Sequence, residues 1–165
     1  MSAKRESSAP RTAPDPSPQP LPRKVGGALR FAGYAAVFDR VDRGGDLVRR
    51  GAFGPVAPAV PLLWEHEGQA IGRCELIRED ARGLRVIGRV TDARAAALVR
   101  ERAVTGLSFG YRVLSFETRP RQARSLLRMS GEARATRELT GLQLVEVSLV
   151  SFPMQPLARV HAFSD

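Results

Sequence analysis

The chain has one cysteine, Cys74, in 165 residues. A single thiol excludes an internal disulfide framework and any cysteine-based zinc site. The two histidines, His66 and His161, lie far apart in sequence, which argues against a histidine-rich metal site. Aromatics are only 6% of residues, so the core must rest on Leu, Val, Ile and Ala. No apolar run approaches the roughly 18 residues that a membrane-spanning helix needs. The first residues lack the apolar stretch of a secretory signal. These absences predict a protein without cofactor or membrane contact, working in a reducing cytoplasm.

What the chain has in excess is arginine. The net charge is +9, and 24 of the 26 basic residues are Arg. Such an excess can signal a polyanionic partner, and a basic nucleic-acid-binding protein is one reading it leaves open. Codon usage in a GC-rich genome is the blander reading, and the abundance of Ala, Gly and Pro fits it. Position favours the second. Residues 1–27 carry +3 and residues 117–137 carry +4, so little excess charge is left for the rest. Neither segment places an aromatic between basic residues, as nucleic-acid modules often do. Nucleic acid is therefore not expected as a specific ligand.

Residues 1–24 hold six of the twelve prolines and no aromatic. They cannot bury enough apolar surface to offset the entropy of ordering. Residues 1–27 are thus expected to form a disordered, Pro-rich basic arm, and 28–165 a single domain. Within that domain Leu29–Asp39 reads as a strand with a bulge or close approach at Gly33. Arg40–Arg50 reads as a polar loop and Val60–His66 as a short buried strand. Ile71–Ile77 and Leu84–Thr91 flank a turn and predict a hairpin. Asp92 is a good N-cap for a helix over Ala93–Ala103, with Gly106 as its stop. Leu107–Phe116 reads as a strand in which Leu107, Phe109, Tyr111 and Val113 share one face and Ser108 the other. Residues 117–135 have no clean period and predict a mobile loop. Arg137–Phe152 reads as a long strand buried on both faces. Hairpins without regular strand–helix alternation predict a mainly β or α+β domain.

Gly106-Leu107-Ser108-Phe109-Gly110 matches G-x-S-x-G. In α/β-hydrolases that pattern sits on a strand-to-helix turn. Here a helix precedes the serine and a strand follows it, which excludes that fold but leaves Ser108 a candidate nucleophile. A serine needs a base within hydrogen-bond reach. His66, at the end of a strand-like run, is one candidate, although spacing alone favours a half-buried surface histidine. His161, among C-terminal residues, is the weaker. Glu146 lies inside an apolar strand and cannot be buried there without a partner. That partner is a histidine, backbone donors or one of the many arginines, and the residues alone favour an arginine. Glu138, at the start of the same strand, is a weaker acid candidate. Trp64 and Cys74 read as core residues. Asp39, Asp42 and Asp46 are spaced like a calcium loop, but Val41, Arg43 and Arg50 stand where ligands are needed, so no metal is expected.

These residues fall into a known order. The run Gly33-Tyr34-Ala35-Ala36-Val37-Phe38 is followed by Gly45-Asp46 and Gly51-Ala52-Phe53. Leu62-Leu63-Trp64-Glu65-His66, Gly106-Leu107-Ser108-Phe109-Gly110-Tyr111 and Leu144-Val145-Glu146-Val147-Ser148-Leu149-Val150 with Phe152-Pro153 come after it. In this order over about 125 residues, the sequence resembles the prohead (capsid maturation) serine proteases of tailed phages. That family is similar in fold to the herpesvirus assemblins, which place a Ser-His-His triad on a partly open β-barrel. The resemblance implies a partly open antiparallel β-barrel flanked by a few helices. It implies a serine endopeptidase with Ser108 as nucleophile, His66 as general base and Glu146 as the orienting acid. It leaves the oxyanion donors unassigned, with backbone N–H groups near Ser108 or after Val150 as candidates. The implied partners are the major capsid protein or a scaffold protein, and a second copy of the chain in an active homodimer. The implied setting is the prohead assembling in the host cytoplasm. A prohead structural protein that has lost activity is the alternative the resemblance allows.

Overall fold

The computed structural model describes residues 27–57, 60–119 and 135–165. The expected N-terminal arm, Gly27 apart, and residues 120–134 of the expected loop lie outside them. The described residues form eight strands and one helix. The strands are β1 (Leu29–Val37), β2 (Asp46–Val48), β3 (Pro61–Trp64), β4 (Glu67–Glu79) and β5 (Gly83–Val90). After the helix α1 (Ala93–Arg100) come β6 (Gly106–Arg119), β7 (Thr136–Val150) and β8 (Val160–Ser164). All eight belong to one sheet with the order β2-β7-β3-β4-β5-β1-β8, and β6 pairs with β7.

The mainly β expectation holds, but the antiparallel one needs correction. β2 and β3 both run parallel to β7. Each is short and comes from far upstream in sequence, so no local turn signal announces either pairing. β7 is therefore flanked on both sides, by β6 and by β2 and β3. Glu146–Val150 are buried without a break, while Thr140, Gln143 and Val145 are exposed, so the expected burial on both faces holds only over that last stretch. The sheet path is open, and a single bridge between Gly106 and Arg159 spans it. Backbone hydrogen bonds from Leu107 N–H to the Ala158 carbonyl (2.9 Å) and from Val160 N–H to the Thr105 carbonyl (2.7 Å) support that bridge.

The core follows strand alternation. Leu29 and Phe31 of β1, Leu84, Val86 and Val90 of β5, Leu107 of β6, and Val147 and Leu149 of β7 are all buried in one cluster. Gly33 is a point of close approach, because a Cβ there would collide with the Arg159 carbonyl oxygen and with Leu107. Asp92 caps α1, accepting the Ala95 N–H at 2.8 Å, and Ala95, Ala96 and Val99 pack inward.

Several boundaries differ from expectation: β3 ends at Trp64, which leaves His66 outside the strand, and β4 already begins at Glu67. α1 ends at Arg100, and Arg102, not Gly106, takes the left-handed position (φ 56°). Residues 117–119 belong to β6, where they pair with Glu138, Arg137 and Thr136. The polar loop after β1 contains β2. Residues 160–164 form β8 on the edge of β1, which places His161 in a strand.

Candidate active site

Trp64 of β3 pairs with Glu67 of β4, so Glu65 and His66 form a two-residue hairpin loop. Both have positive φ, 49° and 67°. Two-residue hairpin loops favour such angles because they match strand twist, and they usually use Asn-Gly to reach them. A glutamate and a histidine here are strained, and their surroundings hold them. Glu65 N–H donates to the Leu149 carbonyl (3.0 Å), and Ser151 N–H donates to Glu65 Oε1 (2.7 Å). His66 N–H donates to Ser148 Oγ (3.2 Å). The imidazole Nδ1 lies 2.7 Å from Glu146 Oε1.

Glu146 is 6% exposed. Its carboxylate meets His66 through Oε1 and accepts the Ser148 hydroxyl through Oε2 at 2.6 Å. The partner of this buried acid is thus a histidine, not one of the arginines. Gly110 of β6 sits directly opposite. A Cβ on residue 110 would fall 2.5 Å from Oε1 and 3.0 Å from Cγ of Glu146. The carboxylate therefore occupies space that only glycine leaves open.

Ser108 pairs with Ser148 across β6 and β7, one step from the Gly110–Glu146 pair. Directly opposed residues in an antiparallel pair project to the same face, and so do residues two apart in one strand. Ser108, Ser148 and Glu146 therefore share one face, which His66 reaches from the β3–β4 loop. Ser108 is buried, 9% exposed, and is one of the residues lining a cleft of about 120 Å³ with Ala36, Asp46, Tyr111, Met154 and Gln155. Among the described residues, no hydrogen bond joins Ser108 to His66. With Nδ1 held by a carboxylate, Nε2 is the ring nitrogen left to exchange a proton with a substrate or a nucleophile. Of the backbone N–H groups after Val150, that of Ser151 is already committed to Glu65.

The other candidates have structural partners. Glu138 is buried against Arg49 (2.8 Å) and Arg119 (3.2 Å) and does not meet either histidine. His161 stands edge-on to Tyr34, and burial and the nearby Arg82 lower its pKa. Asp39 pairs with Arg49, Asp42 accepts the Gly44 and Asp46 N–H groups, and Asp46 pairs with Arg137 and Tyr111. The Arg137 guanidinium holds the Asp46 carboxyl below its usual range. Burial and the Glu146 charge push the Cys74 thiol up to about 12, so it stays protonated and unreactive at neutral pH. Trp64 packs on the core and borders a groove of about 550 Å³ with Glu67, Ile71, Asp92 and Leu98. Sequence reasoning passed over Ser148 and Glu65. Ser148 was within reach of strand alternation, since it lies two residues from Glu146. Glu65 carried no such signal.

A sequence model of the caudovirus prohead serine protease family matches residues 22–165. The prohead protease of Enterobacteria phage HK97 is 26% identical over 146 residues, which cover 82% of this chain and 60% of that protein. The chain thus spans about three-fifths of the length of this curated relative. Solved structures similar to the chain include two herpesvirus proteases. The KSHV protease, solved with a hexapeptide phosphonate inhibitor, is 14% identical with a TM-score of 0.48, over 84% of this chain and 65% of that one. The varicella-zoster virus protease is 16% identical with a TM-score of 0.49, over 83% of this chain and 64% of that one. With the family model covering 28–165 whole, the chain belongs to the caudovirus prohead serine protease family.

Proposed function

We propose that the protein is a serine endopeptidase of a phage or phage-like particle. Ser108 is the nucleophile, His66 the general base and Glu146 the acid that orients it. The observation that carries this reading is the 2.7 Å contact between His66 Nδ1 and the buried Glu146 carboxylate, on the face that Ser108 shares. In the reaction His66 Nε2 takes the Ser108 proton as Oγ attacks the substrate carbonyl. The imidazolium then gives that proton to the leaving amine, and Glu146 stabilises the cation in between. Water repeats the sequence to release the acyl group. The open hydrogen bond between Ser108 and His66 is compatible with this, since such contacts often tighten only around substrate. Among the described residues, β6 beyond Leu107 pairs with β7 alone, which leaves an edge along which an extended substrate chain can approach Ser108. We read the open sheet, with its Gly106–Arg159 bridge, as a partly open barrel.

The substrates in this reading are scaffold or delta-type segments of the major capsid protein, and the protease itself. The active form is a homodimer inside the prohead, in the cytoplasm of the bacterial host. The test is reaction of the purified protein with a fluorophosphonate probe, read by intact mass. One adduct is expected on wild type and none on Ser108→Ala or His66→Ala. Co-assembly with capsid protein should give processed masses with wild type and unprocessed masses with Ser108→Ala. Equal capsid masses in both would overturn the reading in favour of a structural protein of the particle.

A further inference from the structure

We infer that Ser148 is a positioning residue that locks the acid and the base of this site to each other. The inference rests on the triad reading above and adds a residue to it. Ser148 is fully buried in β7. A serine hydroxyl has one proton to donate and lone pairs to accept with. Here the proton goes to Glu146 Oε2 at 2.6 Å, and a lone pair receives the His66 backbone N–H at 3.2 Å. One oxygen thus fixes the carboxylate by its side chain and the histidine by its main chain.

The geometry shows why both ends need it. A carboxylate held through one oxygen can still rotate about its terminal bond. The Ser148 bond removes that freedom and leaves Oε1 aimed at Nδ1. His66 has φ of 67°, a conformation that histidine does not favour in isolation. Its N–H bond to Ser148 helps to pin that backbone, and the 2.7 Å contact to Glu146 pins the ring. Ser148 also faces Ser108 across the β6–β7 pair, so the same strand position sets the nucleophile's neighbour. Valine or alanine would satisfy the strand at residue 148. A hydroxyl is required only by the two groups it holds.

Ser148→Ala and Ser148→Cys test this. Cysteine is close to serine in shape but a weak donor, so it keeps the packing if alanine does not. Both variants should keep a cooperative melting transition. The maximal rate of fluorophosphonate labelling should fall by about 10- to 100-fold, the scale seen when a residue that orients a metal ligand from behind is lost, with half-saturating probe concentration little changed. A downfield NMR resonance from the His66 Nδ1 proton, assigned by its loss in His66→Ala, should shift or broaden in both. Labelling at the wild-type rate in both variants would overturn the inference. So would slow labelling with the His66 resonance unmoved, because the defect would then not pass through the histidine. If Ser108→Ala still labels, the triad reading fails by itself, and the resonance still decides whether Ser148 holds His66.

Discussion

Replacing His66 once by glycine and once by alanine isolates the backbone strain in the candidate base. Both variants lose the same contact to Glu146 and leave the same buried carboxylate with Ser148 as its remaining donor. Those losses cancel between the two. What differs is the left-handed backbone, with φ of 67° at residue 66. An L-residue in that region pays about 1–2 kcal/mol that glycine does not. Glycine in turn loses more chain entropy on folding, about 0.5–1 kcal/mol against alanine. Taken at mid-range, about 1.5 against about 0.75 kcal/mol, the difference leaves the glycine variant more stable by about 0.75 kcal/mol, the reverse of the usual order in a sheet. For a domain of this size that is roughly 1.5–3 °C in melting temperature. Urea titration of the two variants side by side gives the free-energy difference, provided the slopes agree. Both should be inactive toward the fluorophosphonate probe. An alanine variant as stable as the glycine variant would refute the argument, because residue 66 would then not be strained in the folded chain.

Two further predictions come from neighbouring contacts. Gly110→Ala should drive the new Cβ into the Glu146 carboxylate, at 2.5 Å from Oε1. It should cost about 1–3 kcal/mol, as overpacking does, and abolish most labelling of Ser108 although Ser108, His66 and Glu146 are all intact. Calorimetry and labelling on one sample check both, and wild-type labelling would show that the carboxylate need not lie over residue 110. The Asp46–Arg137–Tyr111 cluster gives a pH dependence. Its carboxyl is depressed in the folded state, chiefly by the Arg137 hydrogen bonds. A depressed pKa stabilises the fold above the unfolded value, near 4, and that contribution disappears as pH falls through the folded value. Arg137 is 42% exposed, so screening limits the effect to about 1 kcal/mol. Asp46→Asn should therefore lose about that much stability at pH 7 and progressively less below pH 4. A constant difference from pH 7 to pH 3 in urea unfolding would exclude the ion pair as its source.

Much of this fold was legible where the chain signals locally. The Asp92 cap, the β4–β5 hairpin and the unbroken burial of Glu146–Val150 follow from side-chain chemistry and alternation, whereas the first two-thirds of β7 alternates and exposes Thr140, Gln143 and Val145. The parallel pairing of β2 and β3 with β7 was not, because it joins residues 85 or more apart with no turn between them. β8 was missed because only Val160 of its five residues is buried, so it lacks an apolar rhythm. The end of α1 was misplaced because Gly106 is the stronger punctuation, while Arg102 reaches the left-handed turn without any residue preference for it. In the candidate site, Ser108, His66 and Glu146 stand out by residue type. Their juxtaposition was carried by family resemblance, not by spacing. The loop strain at Glu65 and His66 is invisible in sequence, since neither residue announces positive φ.

The register of β6 on β7 ties the site to the core. Leu107 and Phe109 face Leu149 and Val147 on the inner side, which fixes which residues of the two strands share the outer side. A slip of one residue would move Ser108 away from the face of Glu146 and Ser148 and expose the apolar set. Hydrophobic burial therefore forbids odd slips. It does not forbid a slip of two, which keeps every apolar residue inside. Such a slip would bring Ser108 or Arg112 opposite Glu146 in place of Gly110. Neither leaves room for a carboxylate that already lies within 3.1 Å of a hypothetical Cβ at Oε1, Cγ and Cδ. The buried acid thus selects among the registers that the core permits, through the one glycine it can lie against. The second glycine of G-x-S-x-G is accordingly required by Glu146 on the neighbouring strand, not by a turn at the serine.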